Sequence, residues 1–305
     1  MTKLLQSGFL KVSKIHNIYY ETYGNPDGIP VIFVHGGPGG NFKSKNLIGL
    51  DTNKMFCILF DQRGCGKSTP SGEIIDNDTH KLVDDIKKLL DFLNVKQTCI
   101  YAGSWGACLS LLFAIKYPAM INKMFLNCSF LARKADSNFL YDGVKDIFPD
   151  LHSEFMKNIP EDKKNDISGY LFDEFETGNI ERKKEIACLI ANYEISLMKT
   201  TFHKSDDFNP AFMEDEDVYP SRMFLYYEAN HFFIEDNYIL KNADKLKDLD
   251  IFMTHGRYDM DAPLSGAWSL HKALPKSELV IVPYEGHSGD FKKSLLQHEL
   301  NKFVK

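Results

Sequence analysis

Thr98-Cys99-Ile100-Tyr101-Ala102-Gly103-Ser104-Trp105-Gly106 carries a short apolar run into a serine set among small residues, and the helix-prone stretch Ala107 to Lys116 follows at once. A serine at such a strand-to-helix reversal stands exposed at the carboxyl end of a buried strand, the geometry of a nucleophile elbow. The reversal needs small neighbours. Gly103 and Gly106 supply them, while Ala102 stands where a glycine is usual and adds one methyl. A Gly-Ser turn of this kind also arises by chance, so the flanking text has to decide between the two.

Upstream, Val31 to Val34 and Met55 to Phe60 are unbroken apolar runs of strand length. Apolar text without alternation marks strands covered on both faces, as in a parallel sheet. Phe9 to Val12 and Ile18 to Thr22 read as a hairpin, with a turn after it at Asn25 to Gly28. Between Thr79 and Val95, Leu82, Val83, Ile86, Leu89, Leu90 and Leu93 form one helical stripe with Asp84, Asp85, Lys87 and Lys88 opposite. A further strand is expected over Met120 to Leu126. From Leu131 to Asp248 the text turns charged, aromatic and helical, without a clean buried strand. Sheet text resumes at Ile251 to His255 and Leu279 to Val282, with helices expected over Leu264 to Ala273 and Ser288 to Val304. The expectation is an α/β fold: a mostly parallel central sheet built from residues 1–130 and 249–305, interrupted by a helical cap over 131–248.

Composition narrows the class. With 305 residues, 44% hydrophobic and 26% charged, the chain can bury a large core. Its net charge of -6 argues against nucleic acid as a partner. No apolar run reaches the roughly 18 residues of a spanning helix, so no membrane partner is expected. Met1 to Ser7 is too short and polar to open a signal peptide, which predicts a cytoplasmic location. The cysteines Cys57, Cys65, Cys99, Cys108, Cys128 and Cys188 show no C-x-x-C pairing and read as buried free thiols, with neither disulfides nor a metal. The acidic crowd Asp206, Asp207, Glu214, Asp215, Glu216 and Asp217 reads as a solvated loop.

In a sheet of this kind ligands gather at the carboxyl ends of the strands, so the residues ending the apolar runs matter most. They are His35 to Gly40, Asp61 to Ser68, Gly256 to Asp259 and Pro283 to Ser288. Ser104, Asp259 and His287 occur in the order of a hydrolase triad on this fold: nucleophile, acid, base. Asp261 is a rival acid two residues beyond Asp259, which is preferred because Ala262 and Pro263 already lead into a helix. The glycine-rich turn at His35 lacks the spacing of a phosphate loop. It reads better as half of an oxyanion hole, with the Gly37 N–H joining that of Trp105.

Together, in order, HGGPGG from His35, DQRGCGKS from Asp61, AGSWG from Ala102, GRYD from Gly256 and GHS from Gly286 give a chain that resembles the proline iminopeptidases (prolyl aminopeptidases) of the α/β-hydrolase superfamily. The resemblance runs over nearly the whole length. It implies release of N-terminal proline from short peptides by a serine acyl-enzyme route, without metal or cofactor. It also implies Ser104, Asp259 and His287 as the triad and Gly37 and Trp105 as oxyanion donors. The family's cap glutamates bind the free amine, and Tyr193-Glu194 resembles its Trp-Glu pair, which makes Glu194 the first amine anchor. The family pattern E-N-H-Y-F meets Ala229-Asn230-His231-Phe232-Phe233 here and leaves Glu228 one residue early. On a helix that offset is a rotation of about 100°, turning Glu228 away unless the backbone shifts. Phe130, Phe139 and Tyr141 match the family's aromatic pocket and cap segment. The alternatives on the same scaffold are a carboxylesterase, lactonase or amidase, and from another class a non-catalytic binding protein. The oligomeric state is not legible.

Overall fold

The computed structural model describes residues 3–201 and 205–305. Strands β1 (Leu4–Lys11) and β2 (Asn17–Gly24) form the expected hairpin, and β2 pairs antiparallel with β4 (Met55–Phe60). Every further pairing is parallel. β3 (Ile29–Val34) lies between β4 and β5 (Thr98–Gly103), followed by β6 (Ile121–Asn127), β7 (Ile251–Gly256) and β8 (Ser277–Val282). The order across the sheet is β1-β2-β4-β3-β5-β6-β7-β8.

The unbroken apolar runs serve both faces, since successive side chains of a strand point opposite ways. Ile32, Val34, Ile100 and Ala102 pack toward Ile86 and Leu89 of α1 (Thr79–Phe92) and toward α2 (Trp105–Lys116). Val31, Cys57, Cys99, Tyr101 and Phe125 pack on the other face with Leu296 and Leu300 of α10 (Asp290–Phe303). Helix α2 is buried from Trp105 through Ile115, as an all-apolar helix must be. Helix α1 stops short of Val95 because Asn94 takes a left-handed conformation, φ +57°. Helix α10 starts at Asp290, where the Glu285 carboxylate accepts the N–H groups of Phe291 and Lys292, donors without an intrahelical acceptor.

The segment between β6 and β7 holds α3 (Lys134–Tyr141), α4 (Pro149–Met156), α5 (Ile167–Thr177), α6 (Ile180–Met198), α7 (Tyr219–Ala229) and α8 (Tyr238–Lys241), and no strand among its described residues. It packs in two groups. Leu140, Phe155, Leu171, Phe175, Ile190 and Leu225 form a separate apolar cluster. Tyr227, Phe232, Ile239, Ala243 and Leu246 bury instead into the core around α1 and α2. Arg222 ties α5 to the loop after β4, pairing with Glu176 and donating to the Gly72 carbonyl. The acidic residues around 206–217 are exposed, and α9 (Leu264–Ala273) falls where its sequence pattern put it. Among the described residues no helix is long and apolar enough to cross a membrane.

Strand register creates the site. Val34 lies opposite Ala102, Gly103 opposite Asn127, Asn127 opposite Thr254 and Gly256 opposite Val282. The loops after β3, β5, β6, β7 and β8 therefore leave the sheet along one edge.

Candidate active site

Ser104 sits between β5 and α2 with φ +56° and ψ -131°, a conformation that costs a non-glycine residue about 1–3 kcal/mol. Main-chain bonds hold it: its N–H donates to the Asn127 carbonyl at 3.0 Å, and its own carbonyl accepts from Ala107 at 2.9 Å. Gly106 is required, because a Cβ there would lie 2.2 Å from the Val34 carbonyl oxygen. The Ala102 methyl, the departure noted in the sequence, is buried in the core beside α2.

Gly37 has φ +123° and lines the same cavity as Ser104. A buried network fixes its loop. His35 Nδ1 donates to the Gly36 carbonyl, and its Nε2 accepts from the Gln62 N–H. Burial pulls this ring down to about 4, only partly offset by the bond to Gly36, so it is neutral scaffolding. The Gln62 side chain donates to the His35 carbonyl at 2.8 Å and accepts from the Trp105 indole at 2.9 Å. One amide thus ties the Gly37 loop to the first residue of α2, whose first-turn N–H groups have no intrahelical acceptor.

His287 follows β8, and its Nδ1 lies 3.0 and 2.9 Å from the two carboxylate oxygens of Asp259. Asp259 is buried and accepts the N–H groups of Ala262 and Asp261 at 2.8 and 3.2 Å. Its burial works against ionisation, but His287 and His255 outweigh that and hold the carboxyl well below the usual range. Asp261, the rival acid, meets the opposite ring nitrogen: its Oδ2 is 3.4 Å from Nε2. Burial pulls the His287 ring down, but Asp259 and Asp261 prevail and push it up to about 9.

The cavity around Ser104 has a volume of about 30 Å³, room for one or two waters. Past Ser137, Glu228 and Phe232 it meets a polar cleft of about 1230 Å³. Glu194 from α6 and Glu228 from the last turn of α7 both line the cavity, as does Asp261. The rotation expected to turn Glu228 away does not apply. Helix α7 ends at Ala229, and His231, Phe232 and Phe233 take φ +49°, +53° and +56°, so the Asn-His pair is off the helix and cannot set its phase. Glu228 is only 4% exposed. Burial pushes its carboxyl up to about 7, with Asp136 and Asp261 adding and a hydrogen bond from Ser137 opposing. Burial likewise pushes Glu194 well up, followed by Asp261 and Glu228, with His287 opposing.

Of the three aromatic residues expected in the pocket, Phe130 lines the cavity, edge-on to Phe232 with ring centroids 5.1 Å apart. Tyr141 lines the adjoining cleft, with a buried hydroxyl that has no hydrogen-bond partner among the described residues, and stacks on Phe155. Phe139 is not at the cavity. It packs against the separate apolar cluster of the helices between β6 and β7, its ring over Gly143. The sequence reading missed Phe224, Phe232, Leu140 and Ser137. Helical spacing was the available signal: Phe224 lies four residues before Glu228, and Leu140 three after Ser137.

Among the described residues, Cys128, Asp259 and His287 are the group whose donor atoms come within 4.8 Å of one another. The set suits an acid-base pair better than a metal, since Asp259 and His287 satisfy each other and burial keeps the Cys128 thiol protonated. All six cysteines are free and buried, and burial pushes the Cys65 thiol up to about 12. Thiolate is the reactive form. Iodoacetamide at pH 8 is therefore expected to leave the native enzyme active and to label it only after denaturation; rapid stoichiometric inactivation would contradict this burial.

Comparison with known proteins agrees with this geometry. The model of the family described as the alpha/beta hydrolase fold matches residues 29–293. The chain is 35% identical to the proline iminopeptidase of Arabidopsis thaliana over 294 residues, covering 93% of this chain and 75% of the plant protein. It is 35% identical to that of Xanthomonas citri over 291 residues, covering 93% and 91%. The crystal structure of a proline iminopeptidase from Mycobacterium smegmatis superposes with a TM-score of 0.63 over 98% of this chain and 97% of that one; at 15% identity this is a likeness of fold. With relatives a third identical along nearly its whole length, the chain belongs to the proline iminopeptidase family of the α/β-hydrolase fold.

Proposed function

We propose that this protein is a serine aminopeptidase that releases N-terminal proline, with tolerance for other small residues, from short peptides. The observation that carries the reading is the shared cavity: the strained serine elbow opens into a space lined by Glu194 and Glu228, carboxyls that burial penalises unless a cation joins them. A free N-terminal ammonium is that cation. Held there, it sets the first peptide carbonyl against Ser104 Oγ and excludes blocked peptides.

Ser104 attacks the carbonyl carbon while His287 Nε2 takes the hydroxyl proton, and Asp259 holds the ring by Nδ1–H. The N–H groups of Gly37 and Trp105 meet the developing oxyanion, each such donor being worth about 3–4 kcal/mol. The proton passes from His287 to the departing amine, and a water deprotonated by His287 then frees proline from the serine. The prolyl ring lies against Phe130, Phe224 and Phe232 and displaces side chains that narrow the closed cavity. The rest of the peptide runs into the polar cleft, where the helical segment between β6 and β7 acts as a cap that admits only short chains. Six buried free thiols suit a reducing compartment and support a cytoplasmic location.

The test is kcat/KM for prolyl-, alanyl- and N-blocked prolyl-arylamides beside a simple aryl ester. Strong preference for the free prolyl-arylamide is expected; ester cleavage alone would make the protein a carboxylesterase. Glu194→Gln is expected to lower kcat/KM on the free prolyl-arylamide about 100- to 1000-fold, the scale of removing one partner of a buried charge pair. The aryl ester, which has no ammonium, should change only a few-fold. Equal losses on the two substrates would remove Glu194 from the anchor.

A further inference from the structure

We propose that Asp261 is an electrostatic latch on the base: in the empty enzyme its carboxylate holds Nε2 of His287, and the ammonium of an arriving substrate draws it off. The inference rests on the aminopeptidase reading of this site and adds how substrate binding switches the base on. Nδ1 of His287 is taken by Asp259, so Nε2 is the nitrogen left to receive the Ser104 proton. That nitrogen faces Asp261 Oδ2 at 3.4 Å. Both carboxylates belong to one turn, because Asp259 Oδ1 accepts the Asp261 N–H and so fixes where the second carboxylate stands. Asp261 also lines the cavity that holds Ser104, Glu194 and Glu228.

Among the described residues, the charged and titratable groups around the ring are predominantly acidic. Asp259 and Asp261 flank it from the turn after β7, and Glu194 faces it from α6. His255 of β7 lies behind Asp259, 3.3 Å from its Oδ2. The Cys128 thiol at the end of β6 donates to the His287 carbonyl, and buried Lys292 of α10 is the opposing cation, 3.6 Å from Glu285. The ring is thereby held as imidazolium, pushed up to about 9 against its own burial. An imidazolium cannot accept a proton from serine.

A substrate ammonium entering among Glu194, Glu228 and Asp261 supplies Asp261 with a second cation. The attraction holding the Nε2 proton weakens, the proton leaves to solvent, and the freed lone pair becomes available to accept the Ser104 proton. The base therefore appears with the right substrate. A neutral ester or blocked peptide gains neither the anchor nor the release, which makes selectivity a property of activation as well as of binding.

The pH profiles of wild type, Asp261→Asn and Asp261→Glu test this, since kcat/KM reports the free enzyme and kcat the substrate complex. For the wild type on prolyl-arylamide, the apparent pKa of the acid limb is expected to be at least a unit lower in kcat than in kcat/KM. Asp261→Asn should shift the ester kcat/KM limb down by a unit or more, raising ester cleavage about tenfold at pH 7, and should narrow the gap on the amide. Asp261→Glu should restore both features. Equal limbs in the wild-type amide profiles overturn the latch without any variant, and so does an ester limb that stays in place in Asp261→Asn. If the wild type cleaves the ester but not the prolyl-arylamide, the aminopeptidase reading falls and the latch with it. If it cleaves the amide while the ester limb is unmoved by Asp261→Asn, only the latch falls.

Discussion

Alanine at position 104 is expected to leave a folded enzyme whose kcat on prolyl-arylamides is lower by about a millionfold, the scale seen when a triad nucleophile is removed. The fold should survive for local reasons. The bonds at Ser104 that shape the elbow run through main-chain atoms, to Asn127 and from Ala107, and its hydroxyl makes no cap to α2. Alanine keeps the Cβ and meets much the same cost at φ +56° as serine does. What disappears is the oxygen that forms the acyl-enzyme in the proposed mechanism. The residual rate comes from the oxyanion donors and from binding. The measurement pairs kcat with the thermal midpoint. Activity within a hundredfold of wild type would place the nucleophile elsewhere, and a collapsed midpoint would show that the hydroxyl supports the fold.

Asp259→Asn should cost about 10⁴ in kcat, and it separates the two carboxylates that flank His287. The asparagine carbonyl can keep the bonds from Ala262 and Asp261, so the turn stays in place. Its amide then faces Nδ1 as a donor, which puts the ring proton on Nε2, the nitrogen that must accept from Ser104. The charge that stabilises the imidazolium in the transition state is lost as well. Asp261→Asn has a different signature, a displaced pH profile with the tautomer intact. A loss of less than tenfold in Asp259→Asn would make Asp261 the working acid and reverse the assignment of the pair.

The parts of this protein that depend on neighbours in the chain could be read from its residues. Val31 to Val34, Met55 to Phe60 and Ile251 to Met253 are apolar without alternation because both sheet faces are covered, and each lies in a strand with a parallel neighbour. The small residues around Ser104 report an elbow because strand, reversal and helix are consecutive. The polar residues ending each run mark one edge of the sheet for the same reason. Helix ends were less legible: α1 stops where Asn94 turns left-handed, a choice that no stripe of leucines encodes.

What faces the serine from the helices between β6 and β7 was decided only in three dimensions. Glu228 enters the cavity because α7 ends at Ala229 and three residues with positive φ follow, so counting back from Asn230-His231 gave the wrong phase. Phe139 belongs to the same aromatic text as Tyr141 and packs against the same apolar cluster, yet only Tyr141 of the two also reaches the cleft. Asp261 reads as a spare acid in the sequence, but the turn closed by Asp259 sets it against the far nitrogen of His287. Periodicity and small-residue turns are local properties, and the sequence determines the sheet, the elbow and the order of Ser104, Asp259 and His287 through them. The direction a side chain takes at a helix end or within a capped turn depends on contacts with segments far away in the chain, so the gathering of Glu194, Glu228 and Asp261 at the Ser104 cavity emerges only from the packed structure.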